Sequence, residues 1–170
     1  MSNKIQAGAK MPEFDLPKVG GGSVRIGGEG RWQMVVVYRG KHCPLCKRYL
    51  ATLDGLTDDL DKVNTEVVAI SGDPAEKAVP DVEEMGVSIP VGYGLDTGRM
   101  RELGLYVSTP RPQETDREFA EPGLFVVNPS GDVQIVDISN APFSRPDIAG
   151  VIRGIGLIQE RDYPIRGTAS

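Results

Sequence analysis

The sequence predicts an α/β sandwich of three layers around a mixed central sheet. Three observations carry this prediction. Two continuous apolar runs, "QMVVVY" at 33–38 and "EVVAIS" at 66–71, read as strands buried on both faces. Stretches of helical period follow each of them. Further on, "LFVVN" (124–128) and "VQIVDI" (133–138) flank Pro129, Ser130, Gly131 and Asp132, which is the turn chemistry of a hairpin. Parallel strands joined by crossover helices, with an antiparallel hairpin added, make a layered α/β fold.

The elements then fall in order. The glycine-rich "VGGGSVRIGGEG" (19–30) reads as a hairpin or loop region rather than a linker. After the first buried run, Pro44 suits the first turn of a helix, because its missing N–H would be unpaired there anyway. Leu50, Leu53, Leu56 and Leu60 recur at helical spacing and extend that helix over 44–60. Asp73-Pro74 opens a second helix at 75–85, with Asp73 read as its cap. A short strand at 91–93, a short helix at 97–103 ended by Gly104, the hairpin and a last helix at 145–159 complete the order β-α-β-α-β-α-β-β-α. Residues 108–123 and 161–170 are irregular. The first of these, "STPRPQETDREFAEPG", is long for a loop in a compact domain and is a candidate for function. The 170 residues, 39% hydrophobic, suit one domain over 1–170, with a core at about 8–159 and a tail at 160–170.

The formal charge of −5 suggests no broad basic face, so nucleic acid is not an expected partner. No run reaches the apolar length needed to cross a bilayer. The first residues, "MSNKIQAGAKMPEF", lack the apolar core of a signal peptide, and a cytoplasmic location is expected.

The chemistry concentrates in "RGKHCPLCKR" (39–48), which holds both cysteines and the only histidine. In a reducing compartment, two cysteines three apart suggest redox or metal use before a structural bridge. A structural zinc wants four ligands, usually two such pairs, and no second pair exists. A structural disulfide here would close a very small loop and stabilise little by chain entropy. Two inert core cysteines are the bland alternative. Redox use explains the position best. A cysteine at a helix N-terminus meets unpaired N–H groups and the positive end of the dipole, which favour a thiolate. Lys41, Lys47 and Arg48 add positive charge in sequence, and His42 either tunes Cys43 or sits at the rim. Cys43 is then the expected nucleophile and Cys46 the resolving thiol of a disulfide exchange. No metal or cofactor is implied, since "IGGEGR" (26–31) lacks the spacing and context of a dinucleotide loop. Trp32, just ahead of the first buried strand, is read as packing.

Several stretches together resemble the alkyl hydroperoxide reductase/thiol-specific antioxidant family, the peroxiredoxins, within the thioredoxin-like fold. They are "GAKMPEFDLP" (8–17), "VVVYRGKHCPLC" (35–46), "VVAISGDPAEKA" (67–78), "IPVGYGLDTGRMRELGL" (89–105) and "GLFVVNPSGDVQIV" (123–136). The resemblance implies that fold and a role in antioxidant defence. It also implies a thiol reductant of thioredoxin or glutathione type and a disulfide or peroxide substrate. Family members often associate, so a homo-oligomer is among the expectations.

The active site departs from the family pattern. There a proline opens the loop and a Thr-x-x-Cys ends in the cysteine that attacks peroxide. On that pattern Cys46 takes the peroxidatic position, Cys43 replaces the threonine, Pro44 fits the adjoining proline and Arg39 replaces the opening proline. The family arginine ahead of the "LF" strand falls near Pro122, where thioredoxins carry a cis-proline. Three functions are expected on these grounds. The first is thiol-disulfide exchange through Cys43 and Cys46, with Pro122 in the cis form beside them. The alternative is a peroxidase with Cys46 peroxidatic and Cys43 resolving, which needs a cationic donor from Arg39, Arg111 or Arg117. The third is a thioredoxin-like binding module without catalysis.

Overall fold

A computed structural model describes residues 4–169. The apolar run becomes β3 (Trp32–Val37), at the centre of a five-stranded sheet. It pairs in parallel with β4 (Thr65–Ile70), which pairs in parallel with the short β5 (Val91–Gly92). On its other side β3 runs antiparallel to β8 (Gly123–Val127), which forms the expected hairpin with β9 (Val133–Ile138). The order is β5-β4-β3-β8-β9, a mixed sheet.

The pleat of β3 divides the core. Met34 and Val36, with Tyr38 just beyond the strand, face the helices α1 (Pro44–Asp54), α2 (Thr57–Lys62), α3 (Ala75–Met85) and α5 (Ile148–Arg161). Val35 and Val37 face the opposite layer, made by the hairpin β1 (Phe14–Pro17) and β2 (Ser23–Ile26) and by α4 (Thr97–Glu102). Thus the glycine-rich 19–30 stretch is the second arm of a hairpin, with a turn at Gly20–Gly22. Trp32 packs partly buried against the helical side of the core.

Three expectations shift. The helix foreseen over 44–60 breaks at Gly55, and its second half is the separate α2. The last helix starts at Ile148 rather than residue 145. Pro146 disfavours helical backbone at the residue before it, and Asp147 caps the helix by accepting from Gly150 N at 3.0 Å. Arg145 is therefore a loop residue. Asp73, finally, does not cap α3, whose N-cap is Pro74 without a side-chain hydrogen bond.

The irregular 108–123 stretch is tied at its base by the short antiparallel pair β6 (Val107–Ser108) and β7 (Phe119–Ala120). Lys77 grips its tip, donating to Thr115 Oγ1 and Asp116 Oδ1, both at 2.7 Å.

Candidate active site

Cys43 is the N-cap of α1, in extended backbone, and Pro44 occupies the first turn. The cap is made by sulfur: Cys46 N donates to Cys43 Sγ at 3.3 Å. No acidic residue stands in the first turn to compete with a thiolate. Cys46 lies within that first turn. Both cysteines are free, and their residues are only 2% and 0% exposed.

Sequence reasoning missed the group that completes the site. Arg145, from the loop ahead of α5, places Nη2 at 3.1 Å from Cys46 Sγ and 3.9 Å from Cys43 Sγ. Its Nε donates to Pro142 O at 2.9 Å, and its guanidinium lies 4.8 Å from the centre of the Tyr49 ring. The Tyr49 hydroxyl donates to Pro146 O at 2.7 Å and pins the loop. Nη1 is buried and has no partner among the described residues. No carboxylate pairs with Arg145 among the described residues.

These contacts divide the two sulfurs electrostatically. The Cys43 thiol is lowered from 9.0 to about 6, chiefly by the hydrogen bond from the Cys46 side chain, against burial, with help from the Cys46 backbone N–H and Arg145. Cys46 is pushed up, first because its S–H serves Cys43 and then by burial. The charge rests on Cys43, and Cys46 holds the proton.

The other residues singled out in the sequence lie around this centre in different ways. Arg39 is spent on acids: Nε lies 2.9 Å from Glu121 Oε1, Nη2 3.8 Å from Glu114 Oε1, and the guanidinium stacks 4.6 Å from the Phe119 ring centre. Arg111 pairs with Glu114 and Arg117 with Asp116. Arg111 and Arg117 therefore bring no donor to the sulfurs, and Arg39, held chiefly by its acids, adds only a minor side-chain hydrogen bond that lowers Cys43. Lys47 turns to Asp81 and Glu84 at 3.5 and 3.8 Å. Arg48 forms no ion pair among the described residues. Lys41 has an exposed side chain and contributes its backbone N–H, which donates to Asp73 Oδ2 at 2.7 Å. That bond fixes the loop ahead of Cys43 and is the actual role of Asp73. Gly40, at φ +134°, makes it possible, since a Cβ there would sit 2.7 Å from Asp73 Oδ1. His42 packs edge-on against Phe119 at 4.5 Å, and burial pushes its pKa down, which disfavours the charged imidazolium.

Pro122 corrects an expectation. Among the described residues every peptide bond is trans. The residue is buried where the chain enters β8: Glu121 N donates to Tyr106 O at 2.8 Å, and Pro122 O accepts from Ser139 N at 3.0 Å. The Glu121 N–H and the Pro122 carbonyl are thus already engaged, so Pro122 serves as a strand-start proline and lines a small cavity shared with Arg145.

A thioredoxin-like sandwich with a free dithiol at the strand-to-helix joint defines a thiol-dependent oxidoreductase. The description "AhpC/TSA family" matches residues 7–136, and the chain belongs to that family. No curated protein matches the sequence. Among solved structures, peroxiredoxin 6 of Arenicola marina superposes with a TM-score of 0.77 at 16% identity, over 93% of this chain and 75% of that one. A Mycobacterium bovis AhpC gives 0.75 at 14% identity, over 99% of each chain. A peroxiredoxin-like protein from Aquifex aeolicus gives 0.74 at 14% identity, over 91% and 88%. At these identities the likeness speaks for the fold.

No helix among the described residues is long and apolar enough to cross a membrane.

Proposed function

We propose that this protein is a thiol-dependent peroxidase in which the Cys43 thiolate attacks a hydroperoxide and Cys46 resolves the product. Arg145 carries the reading. A half-buried guanidinium facing two sulfurs and no carboxylate is a cation whose natural counter-ion is a thiolate. Its unpartnered Nη1 is a donor left over for the oxygen that gains charge as the O–O bond breaks. The family arginine is missing from its usual place, and Arg145 supplies the same kind of group from another loop.

The steps balance. Cys43 sulfur attacks the distal oxygen of ROOH, the O–O bond breaks, and RO⁻ leaves toward Arg145 and takes a proton. Cys43 becomes a sulfenic acid. The Cys46 sulfur then attacks Cys43 sulfur, its proton joins the departing hydroxide, and water leaves. The Cys43–Cys46 disulfide that remains needs two electrons and two protons from an external thiol reductant, of thioredoxin or glutathione type.

Burial of the sulfurs supports a small oxidant. Thiol-disulfide exchange, the first expectation from the sequence, would use the same dithiol. It asks a second protein to reach sulfurs that are almost wholly covered, and Pro122 offers no free backbone for docking it. A second assignment of roles, with Cys46 attacking, has two supports: the family position of Cys46 and its shorter contact with Arg145.

The test is the second-order rate of the reduced protein with hydrogen peroxide, compared with a free thiol at equal thiolate fraction. Several orders of magnitude of acceleration are expected, and a rate like the free thiol sinks the proposal. Trapping sulfenic acid in Cys46→Ser and Cys43→Ser assigns the roles. Label on Cys43 in the first variant is expected; label on Cys46 in the second, with none in the first, reverses them.

A further inference from the structure

A cleft of about 810 Å³ opens at the end of the sheet away from the dithiol. It lies along the N-terminal half of β4, whereas the dithiol follows the C-terminal end of the parallel neighbour β3. Leu60 and Asp61 of α2 stand on one wall, Lys18 and Val24 of the β1–β2 hairpin on the other, and residues 65–68 of β4 make the floor. That floor is a bare strand edge. β5 pairs only with Ala69 and Ile70. Just ahead of β5, Ser88 N and Ile89 N donate to Asp54 Oδ1 at 2.8 and 3.1 Å, which turns the chain away before it can pair further. Backbone groups alternate sides along a strand. Ala69 N donates outward to Pro90 O at 3.0 Å, while Ile70 O accepts from Tyr38 N on the β3 side at 3.1 Å. Val67 therefore turns its N–H and C=O outward into the cleft, where no group among the described residues meets them. β2 offers an edge to the same cleft, and there side chains fill it. Arg25 O accepts from Arg31 Nη2 at 2.9 Å and from Gln33 Nε2 at 2.7 Å, and Gly27 N donates to Gln33 Oε1 at 3.0 Å. One edge is blunted and the other is left open.

We propose that this cleft docks an extended peptide segment of a partner protein, which adds beside β4 as a strand and carries an acidic and a basic residue on neighbouring positions. The backbone of Val67 supplies affinity, and the rims supply selection. Arg31 is paired with Glu66 at 2.9 Å and Arg25 with Asp15 at 3.2 Å. That leaves Lys18 on the hairpin rim and Asp61 on the α2 rim, each without an ion pair among the described residues. Side chains of an added strand point alternately to the two faces of the sheet. A carboxylate turned toward the hairpin meets Lys18, and the cation of the next residue, turned toward α2, meets Asp61. Walls rise on both sides of the bare edge. A single extended chain fits between them, whereas the β4 of a second copy would bring walls of its own. None of this depends on the peroxidase reading, because no residue of the dithiol site lines the cleft.

Amide hydrogen exchange and fluorescence anisotropy test this on the reduced full-length chain. The probe is a fluorescein-labelled, threonine-rich peptide with a glutamate and a lysine side by side. In the free chain the Val67 amide should exchange fast and the Ala69 amide slowly, and adding the peptide should slow Val67. N-methylation of alternate peptide residues removes the donors that face β4. In that phase affinity should fall by about fivefold or more, the scale of one or two hydrogen bonds, and methylation of the other set should leave it unchanged. Lys18→Glu combined with Asp61→Lys should weaken the peptide by about tenfold, as two exposed charge pairs turn from attraction to repulsion, and exchanging the glutamate and lysine of the peptide should restore it. Both positions lie on the rims, so folding is not at stake, and dithiol reactivity should be the same in both chains. Binding indifferent to methylation in either phase, or no binding up to about 1 mM peptide, overturns the docked strand. Protection of Val67 that rises with chain concentration in the absence of peptide puts a second copy in the cleft and overturns it as well.

Discussion

Replacing Arg145 by Met removes the charge and the donors while keeping a side chain of similar length. The thiolate itself depends on Arg145 only in part. The side-chain hydrogen bond from Cys46 is the main cause of the low Cys43 pKa, and the Cys46 backbone N–H adds to it ahead of Arg145. A unit charge pair at 3.9 Å attracts by about 4 kcal/mol at an effective dielectric constant of about 20. That is the upper end of what the thiolate gains, because burying the guanidinium offsets part of it. At alkaline pH the Arg145→Met dithiol should therefore still ionise. The transition state loses more. Deleting one pre-organised donor to a developing oxyanion costs about 2.7–4 kcal/mol, or roughly 10²–10³ in rate. The assay is stopped-flow oxidation by hydrogen peroxide, followed through Trp32, the only tryptophan. The thiolate fraction is measured separately by ultraviolet absorbance. The expected result is a fall of about 10²–10³ per thiolate. Arg145→Lys should recover part of it, as a charge without the planar fork. A rate that falls only in proportion to the thiolate fraction would refute the argument that Arg145 acts on the leaving oxygen.

The same geometry sets the remaining expected outcomes. The rate of peroxide consumption should rise with pH through about 6, where Cys43 loses its proton, and stay level above it. Because the folded pKa lies below the ordinary 9.0, the reduced protein should gain stability relative to Cys43→Ser as pH rises from about 6 toward 9, and lose that gain as pH falls through about 6; paired Tm measurements across this window check the sign. Gly40→Ala combines a positive φ with a Cβ 2.7 Å from the Asp73 carboxylate, so a loss of about 2 kcal/mol or more in denaturant unfolding is expected. Asp73→Ala leaves Lys41 N–H without its acceptor, which should cost about 1–3 kcal/mol and slow oxidation of Cys43, measured by unfolding and by peroxide kinetics on the same preparation.

The legible and the hidden parts of this sequence divide along one physical line. Hydrophobic period and turn chemistry are local, so β3, β4, the β8–β9 hairpin and the placement of Cys43 at a helix start could be read directly. The charge around the dithiol could not, because proximity in sequence is a poor guide to which cation faces a sulfur. Lys47 is next to Cys46 in the chain, yet it turns to Asp81; Arg39 lies four residues before Cys43, yet Glu121 holds it. Arg145 is 99 residues from Cys46 and touches it. One local signal for it did exist. In Arg145-Pro146-Asp147 the proline bars helix at the arginine and the aspartate caps α5, so the arginine had to lie in a loop at the mouth of the helical layer. The proposed reaction asks for an uncompensated cation, at least partly buried, within hydrogen-bonding reach of the dithiol. That condition fixes a position in space and leaves its place along the chain free. In the proposed peroxidase, a missing arginine ahead of β8 removes one route to the oxyanion donor, and the loop before α5 offers another.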